Sequence, residues 1–175
     1  SSKSYEGKDV GTVPQFIREN ARRGLDNLEF AGSGLTEKTK REARAMANGE
    51  ISENKVIRMN AWFLRHISDL DSARANEYLR GETDRMTAGQ LAWLLWGGDL
   101  GKSNRMRAQK WAERQVNRIR NEKNFESAVE LIRRKKMLRD GEWEVRLNRF
   151  RTKQSRSRVY EERSEEHTSE LQSRP

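Results

Sequence analysis

The sequence predicts an all-α protein, with a compact bundle of five or six short helices followed by a basic helical extension. Apolar residues recur every three or four positions, and no stretch shows the sustained alternation of a half-buried strand. An apolar run at residues 88–101 contains two of the five tryptophans and includes a pair of glycines. Because 36% of the residues are charged, we expect this run to form the centre of the core.

Helix start and stop signals divide the first part of the chain. Thr12 and Pro14 predict the start of a first helix, because proline suits a first turn, and a glycine-containing stretch at residues 31–34 ends it. Thr36 and Ser52 predict the N-caps of two further helices, with Asn48-Gly49 between them. The apolar positions of these segments are Phe16, Ile17, Ala21, Leu25, Leu28, Ala43, Met46, Ala47, Val56, Ile57, Met59, Trp62, Phe63 and Ile67.

The second part of the chain predicts two short helices and one long helix. We expect Asp71 to cap a short helix through Leu79, and Thr87 to begin the helix that carries the apolar run. Ser103 is the predicted start of a long basic helix. Its apolar stripes are Ala108, Trp111, Ala112, Val116 and Ile119, then Phe125, Ala128, Val129 and Ile132. After a break at Asp140-Gly141, a third stripe follows at Trp143, Leu147 and Phe150, and the chain is expected to fray from Arg151.

Composition limits the classes of protein. The predicted organisation is a disordered linker at residues 1–12, a helical domain at 13–122 and a basic extension at 123–162. The absence of cysteine excludes disulfides, thiolate zinc sites and a cysteine nucleophile. The longest apolar run is too short to span a membrane, so no membrane partner is expected.

The charge is concentrated in one part of the chain. Residues 1–100 hold 15 Lys/Arg and 15 Asp/Glu, whereas residues 101–160 hold 19 and 7. Such a basic segment is expected to attract nucleic acid or an acidic partner protein, although a solvated charged helix is an equal alternative. The candidate nucleic-acid-binding residues are Arg105, Arg107, Lys110, Arg114, Arg118, Arg120, Arg133, Arg134, Lys135 and Lys136, with Arg139 after them.

The segment from Thr36 to His66 has the outline of a helix-turn-helix. In that interpretation the start of the second helix would read DNA, through Ser52, Glu53, Asn54, Lys55 and Arg58. This half of the chain carries no net charge, and a plain helical hairpin is the favoured interpretation.

Two other groups of residues have chemical alternatives. The aromatic set Trp62, Trp93, Trp96 and Trp111 can stack on bases, but leucines among them favour a buried core. His66, with acidic residues at positions 69 and 71, can act as a base, but helix ends and caps explain these residues better. The sequence therefore predicts no catalytic residue, no metal site and no cofactor.

Several motifs between residues 14 and 112 carry a family resemblance. They are Ala21-Arg22-Arg23-Gly24-Leu25, Thr36, Arg44-Ala45-Met46-Ala47-Asn48-Gly49, Ser52, Arg58-Met59, Phe63-Leu64-Arg65-His66, the run Ala88–Asp99, Gly101 and Trp111-Ala112. With these motifs the chain resembles a small helical domain of tailed-bacteriophage proteins, often encoded near head-assembly genes. The resemblance implies phage origin and no enzymatic role. The loop at residues 69–83 and the basic C-terminal half depart from that family.

The C-terminal segment at residues 163–173 resembles a translated sequencing adapter, typical of a metagenomic read, and we expect a chain truncated at both ends. The leading functional prediction is a non-enzymatic phage structural, head-assembly or packaging protein, whose basic arm contacts DNA or an acidic partner. Other phage structural proteins are further expected partners, in the virion or the host cytoplasm. The alternatives are a helix-turn-helix regulator and a fragment of a larger phage protease or nuclease.

Overall fold

A computed structural model of the chain describes residues 11–136, 146–156 and 158. Its α-helices are α1 (Gln15–Leu25), α2 (Glu37–Ala47), α3 (Glu53–His66), α4 (Ala73–Leu79), α5 (Ala88–Leu95) and α6 (Arg107–Lys136). Short 3-10 helices lie at Leu28–Phe30 and Ile67–Leu70, and residues 146–156 form a further helix. These described ranges contain no β-strand, which confirms the predicted all-α class.

The chain divides into two compact units between Asn117 and Arg118. The division lies within α6, as does the boundary that the sequence predicted at residue 122. The first unit contains α1 to α5 and the start of α6. Five sequence predictions fall wholly or partly outside the described residues. They are residues 1–10 of the linker predicted at 1–12, the candidate binding residue Arg139, the break at Asp140-Gly141, the apolar Trp143, and the adapter-like segment.

Side-chain hydrogen bonds begin three helices at the predicted residues. The hydroxyl oxygens of Thr36, Ser52 and Thr87 each accept a hydrogen bond from the backbone N–H three residues later. At α5 the side chain of Gln90 also accepts from the backbone N–H of Thr87, which completes a capping box. The predicted cap Asp71 is wrong: Ser72 caps α4 by accepting from the N–H of Ala75.

Glycines end α2 and α5 as predicted. Gly49 and Gly97 have φ angles of 87° and 93°, in the left-handed region that disfavours other residues. After α5 the N–H of Gly97 donates to the carbonyl of Leu94, and the N–H of Gly98 to that of Trp93. This Schellman arrangement satisfies carbonyls at the end of the helix.

Helix α5 supplies the centre of the first unit's core. Trp93, Leu94 and Leu95 are fully buried, as predicted for the apolar run. Helix α1 packs closely on α5 at Gly24. A β-carbon at this position would lie only 2.9 Å from the backbone nitrogen of Leu95, so the close approach depends on glycine. Ile17, on the same helix, is also fully buried.

Four local predictions are wrong. Helix α1 ends at Leu25, before the predicted break at residues 31–34, and Leu28 lies in a separate 3-10 helix. Ile57 is 42% exposed, because the buried stripe of α3 runs through Val56, Met59 and Phe63. Helix α6 begins at Arg107 instead of Ser103, because the preceding residues form turns. The chain does not fray at Arg151, since residues 151–156 continue a helix.

Candidate functional site

The five residues that a helix-turn-helix would use to read DNA differ in exposure: Asn54 is exposed, Glu53 and Arg58 are partly buried, and Ser52 and Lys55 are buried. Lys55, one of its predicted base-contacting residues, is 1% exposed and points into the protein. Arg58 donates hydrogen bonds to Glu42 of α2 through both terminal nitrogens. Lys55 and Arg58 are thus engaged in contacts within the protein, and the Arg58–Glu42 ion pair joins α3 to α2.

A buried charge cluster lies between α2, α3 and α5. The Lys55 ammonium nitrogen lies 3.3 Å from the ring centroid of Trp96 and 3.8 Å from a carboxylate oxygen of Glu42. Its nitrogen has no hydrogen-bond partner. Burial lowers the pKa of Lys55 to about 7, with further lowering by Arg58 and Lys38, and the Glu42 charge opposes this shift.

The charge of Glu42 is well stabilised despite burial. Burial by itself raises the pKa of Glu42, but the hydrogen bonds from Arg58 and the charges of Lys55 and Arg58 outweigh it, so the pKa is lowered. Glu42 is therefore an anion at neutral pH, beside the cationic Arg58 and a Lys55 that is about half protonated.

Aromatic rings continue this cluster to the protein surface. The rings of Trp96 and Trp62 stack 4.7 Å apart at 7°, and Trp62 stacks on His66 at 4.5 Å. We call Lys55, Trp96, Trp62 and His66 the aromatic column. Trp62 and Trp96 stack on each other, and Trp96 is only 8% exposed, so the pair packs as part of the core, in agreement with the favoured interpretation of the aromatic set.

The outer end of the column borders a cavity of about 280 Å³. His66 Nδ1 lies 2.9 Å from a carboxylate oxygen of Asp69, and both residues line the cavity. Thr39 lines it too, but its hydroxyl is hydrogen-bonded to Thr36. A His–Asp pair supplies two of the three members of a hydrolytic triad, but the hydroxyl of Thr39 is bonded to Thr36 and is not joined to the pair. No cluster of three potential metal ligands occurs within the described ranges.

Two of the predicted nucleic-acid-binding residues are committed to contacts inside the first unit. Arg105 donates to Asp71 at 2.8 Å, and its side chain is only 12% exposed. Arg107 donates two hydrogen bonds to the Asp99 carboxylate, at 2.9 and 3.1 Å. Its guanidinium also lies 3.9 Å from the Phe16 ring centroid. These arginines hold the turn before α6 against the core.

The other predicted cationic residues lie along α6. Lys110 and Arg114 are exposed in the first unit. In the second unit the exposed members are Arg118, Arg120, Arg133, Arg134 and Lys135, whereas Lys136 is partly buried. Arg134 pairs with Glu130 one turn earlier, at 3.2 Å.

Sequence reasoning left out the basic residues of the helix at 146–156. Five of its eleven residues are Lys or Arg: Arg146, Arg149, Arg151, Lys153 and Arg156. Because the chain was expected to fray from Arg151, these basic residues were not placed on a helix. The pairing of Leu147 and Phe150, one turn apart, was the available signal for a helix with an apolar side.

Comparisons of the chain with protein-family models, curated proteins and solved structures found no match. Within the described ranges, none of the helices combines the length and the apolar character that crossing a bilayer requires. The charge distribution and the phage-like motifs between residues 14 and 112 are therefore the features that bear on function.

Proposed function

We propose that this chain is a non-enzymatic bacteriophage head-assembly or packaging protein whose second unit contacts DNA. One observation carries the proposal. Residues 118–160 hold 14 Lys/Arg and 6 Asp/Glu, and residues 161–175 hold 2 and 5. Residues 1–117 hold 20 and 16, so the strongest cationic excess lies between residues 118 and 160. Every Lys and Arg of that stretch that the structure describes is exposed, except Lys136.

Duplex DNA is the polyanion that such a surface fits best. It presents about one negative charge per 1.7 Å of its axis, so many exposed cations can each neutralise a phosphate. Contacts of this kind release counterions and are independent of sequence. This agrees with a packaging or assembly role, in which a protein must bind whatever DNA is present.

The motifs that resemble the phage domain lie in the first unit, which we regard as the scaffold of the protein. Trp93, Leu94 and Leu95 are buried, and Gly97 and Gly98 form the end of α5. These residues support the lineage and the fold, and they assign no chemistry to the first unit. We therefore place the DNA contacts of the proposal in the second unit.

A salt titration of DNA binding tests the proposal. The full chain is mixed with fluorescent duplexes of two unrelated sequences, and anisotropy is followed from about 50 to about 200 mM salt. We expect similar affinity for both duplexes and a steep loss of affinity with salt. A footprint confined to one operator, or no binding at low salt, contradicts the proposal.

Matched charge variants locate the binding. Six cations of the second unit are changed to Gln in one variant: Arg133, Arg134, Lys135, Arg149, Lys153 and Arg156. Six exposed cations of the first unit are changed in the control: Lys38, Arg41, Arg44, Arg65, Arg74 and Lys102. We expect the first variant to lose most of its affinity and the control to keep it; the reverse result contradicts the proposal.

An acidic protein is the alternative binding partner of the basic second unit. Polyglutamate serves as its probe in a competition experiment. We expect duplex DNA to displace bound DNA at a lower charge concentration than polyglutamate does. Preferential binding of polyglutamate would overturn DNA contact and favour an acidic protein partner.

A further inference from the structure

The helix at residues 146–156 has two chemically different faces. Leu147 is 7% exposed, and Phe150 and Gln154 are partly buried on the same side of the helix. The Phe150 ring lies 5.3 Å from the Phe125 ring of α6, at an interplanar angle of 30°. This contact lies within the second unit and fixes which face of the short helix is turned inward.

The opposite face is cationic. Arg149, Lys153 and Arg156 are spaced by four and three residues, which places them on one side of a helix, and all three are exposed. Together with Asn148 and Thr152 they line one shallow concavity of the surface. The sequence from residue 146 to residue 158 contains no acidic residue, so the segment itself is purely cationic.

The basic residues at the end of α6 are arranged differently. Arg133, Arg134 and Lys135 are consecutive, so they point to different sides of the helix. Glutamates interrupt the preceding turns, and Glu130 pairs with Arg134. The two groups thus carry the same charge, but of the two it is the helix at 146–156 that presents its cations on one face.

We propose that Arg149, Lys153 and Arg156 form the phosphate-contacting face of this protein for the nucleic-acid backbone. The inference rests on the proposed DNA contact and names its surface. From Arg149 to Arg156 the helix rises about 10 Å. A duplex carries about six phosphate charges over that length, which is enough to engage all three side chains at once.

Two triple variants of the full chain, equal in charge, test this face. One is R149Q/K153Q/R156Q and the other is R133Q/R134Q/K135Q. Glutamine has a helix propensity close to that of the residues it replaces, and circular dichroism checks that helix content is kept. Duplex binding is measured by anisotropy over a salt series for both variants and the wild type.

We expect R149Q/K153Q/R156Q to bind at least tenfold more weakly at about 100 mM salt, with a salt slope smaller by about 2 to 3. The R133Q/R134Q/K135Q slope should change by less than about 1. Equal losses in both variants, or a larger loss in R133Q/R134Q/K135Q, would overturn this face as the contact surface. A wild type that binds no duplex refutes the proposed function itself, which keeps the two failures distinguishable.

Discussion

The ammonium nitrogen of Lys55 lies 3.3 Å from the ring centroid of Trp96. A cation in this position is attracted by the indole face, which offsets part of the cost of burying its charge. The remainder of that cost appears in the pKa of Lys55, which burial lowers to about 7. A lysine in an unfolded chain keeps the ordinary value of 10.5, so the folded and unfolded states bind different numbers of protons above neutrality.

The first prediction is a pH dependence of stability that disappears in K55M. Between pH 7 and 10 the unfolded chain keeps the Lys55 proton, whereas the folded chain has lost it. Stability therefore rises with pH in this window, by up to about 1.4 kcal/mol per pH unit from this group alone. Below pH 7 both states are protonated, so Lys55 adds no further slope.

Urea denaturation of the wild type and K55M at pH 6, 7, 8 and 9 measures this effect. The groups that face Lys55 are Glu42 and Lys38 of α2 and Arg58 of α3, and K55M leaves them in place. We expect K55M to be at least as stable as the wild type at pH 6, and the wild type to gain on it as the pH rises. Parallel stability curves would contradict the lowered pKa.

The second prediction concerns the central tryptophan. Trp96 is 8% exposed and lies between Lys55 and Trp62 in the aromatic column. Its replacement by alanine leaves a cavity, and we expect W96A to lose about 3–5 kcal/mol of stability. An unchanged urea midpoint together with a lost binding activity would show instead that Trp96 belongs to a site.

The third prediction contrasts two glycines at the end of α5. A β-carbon at Gly98 would overlap Trp93 Nε1 and lie 2.8 Å from a ring carbon of Phe63, both inside the core. A β-carbon at Gly101 would meet no atom within 4 Å. We expect G98A to cost about 1–3 kcal/mol or more, and G101A to cost little. Thermal melts compare the two variants. Equal melting midpoints would contradict the tight packing of Gly98 against Trp93 and Phe63.

The fourth prediction separates structural from DNA-binding arginines. R107Q removes the two hydrogen bonds to Asp99 and the contact with Phe16. Because the Arg107 side chain is 46% exposed, the loss of stability should stay near or below about 1 kcal/mol. We expect duplex affinity to fall much less than in R149Q. Comparable losses of affinity in R107Q and R149Q would restore Arg107 to the DNA contacts.

Features governed by neighbouring residues were predictable from the sequence. The caps at Thr36, Ser52 and Thr87 need only a hydroxyl and an N–H three residues later. Gly49 and Gly97 were predictable for the same reason, since a left-handed turn is a property of one residue. The burial of Trp93 followed from the apolar run around it.

Predictions failed where two local choices were equally good. Asp71 and Ser72 are both residue types that can cap a helix. In the folded chain Ser72 caps α4, and Asp71 instead pairs with Arg105. In α3, Val56 and Ile57 are both apolar, and the sequence does not say which stripe meets the core. The helix at 146–156 is short enough to need tertiary support, which the Phe125–Phe150 contact supplies.

By itself, the sequence determined the helical class, most helix boundaries and the basic character of the chain after residue 100, because these depend on side chains a few positions apart. Tertiary structure decided that Lys55 is buried against Trp96, that Arg107 holds Asp99, and that three cations of the last helix share an exposed face. Burial and ion pairing join residues far apart in the chain, so they exist only once the helices have packed.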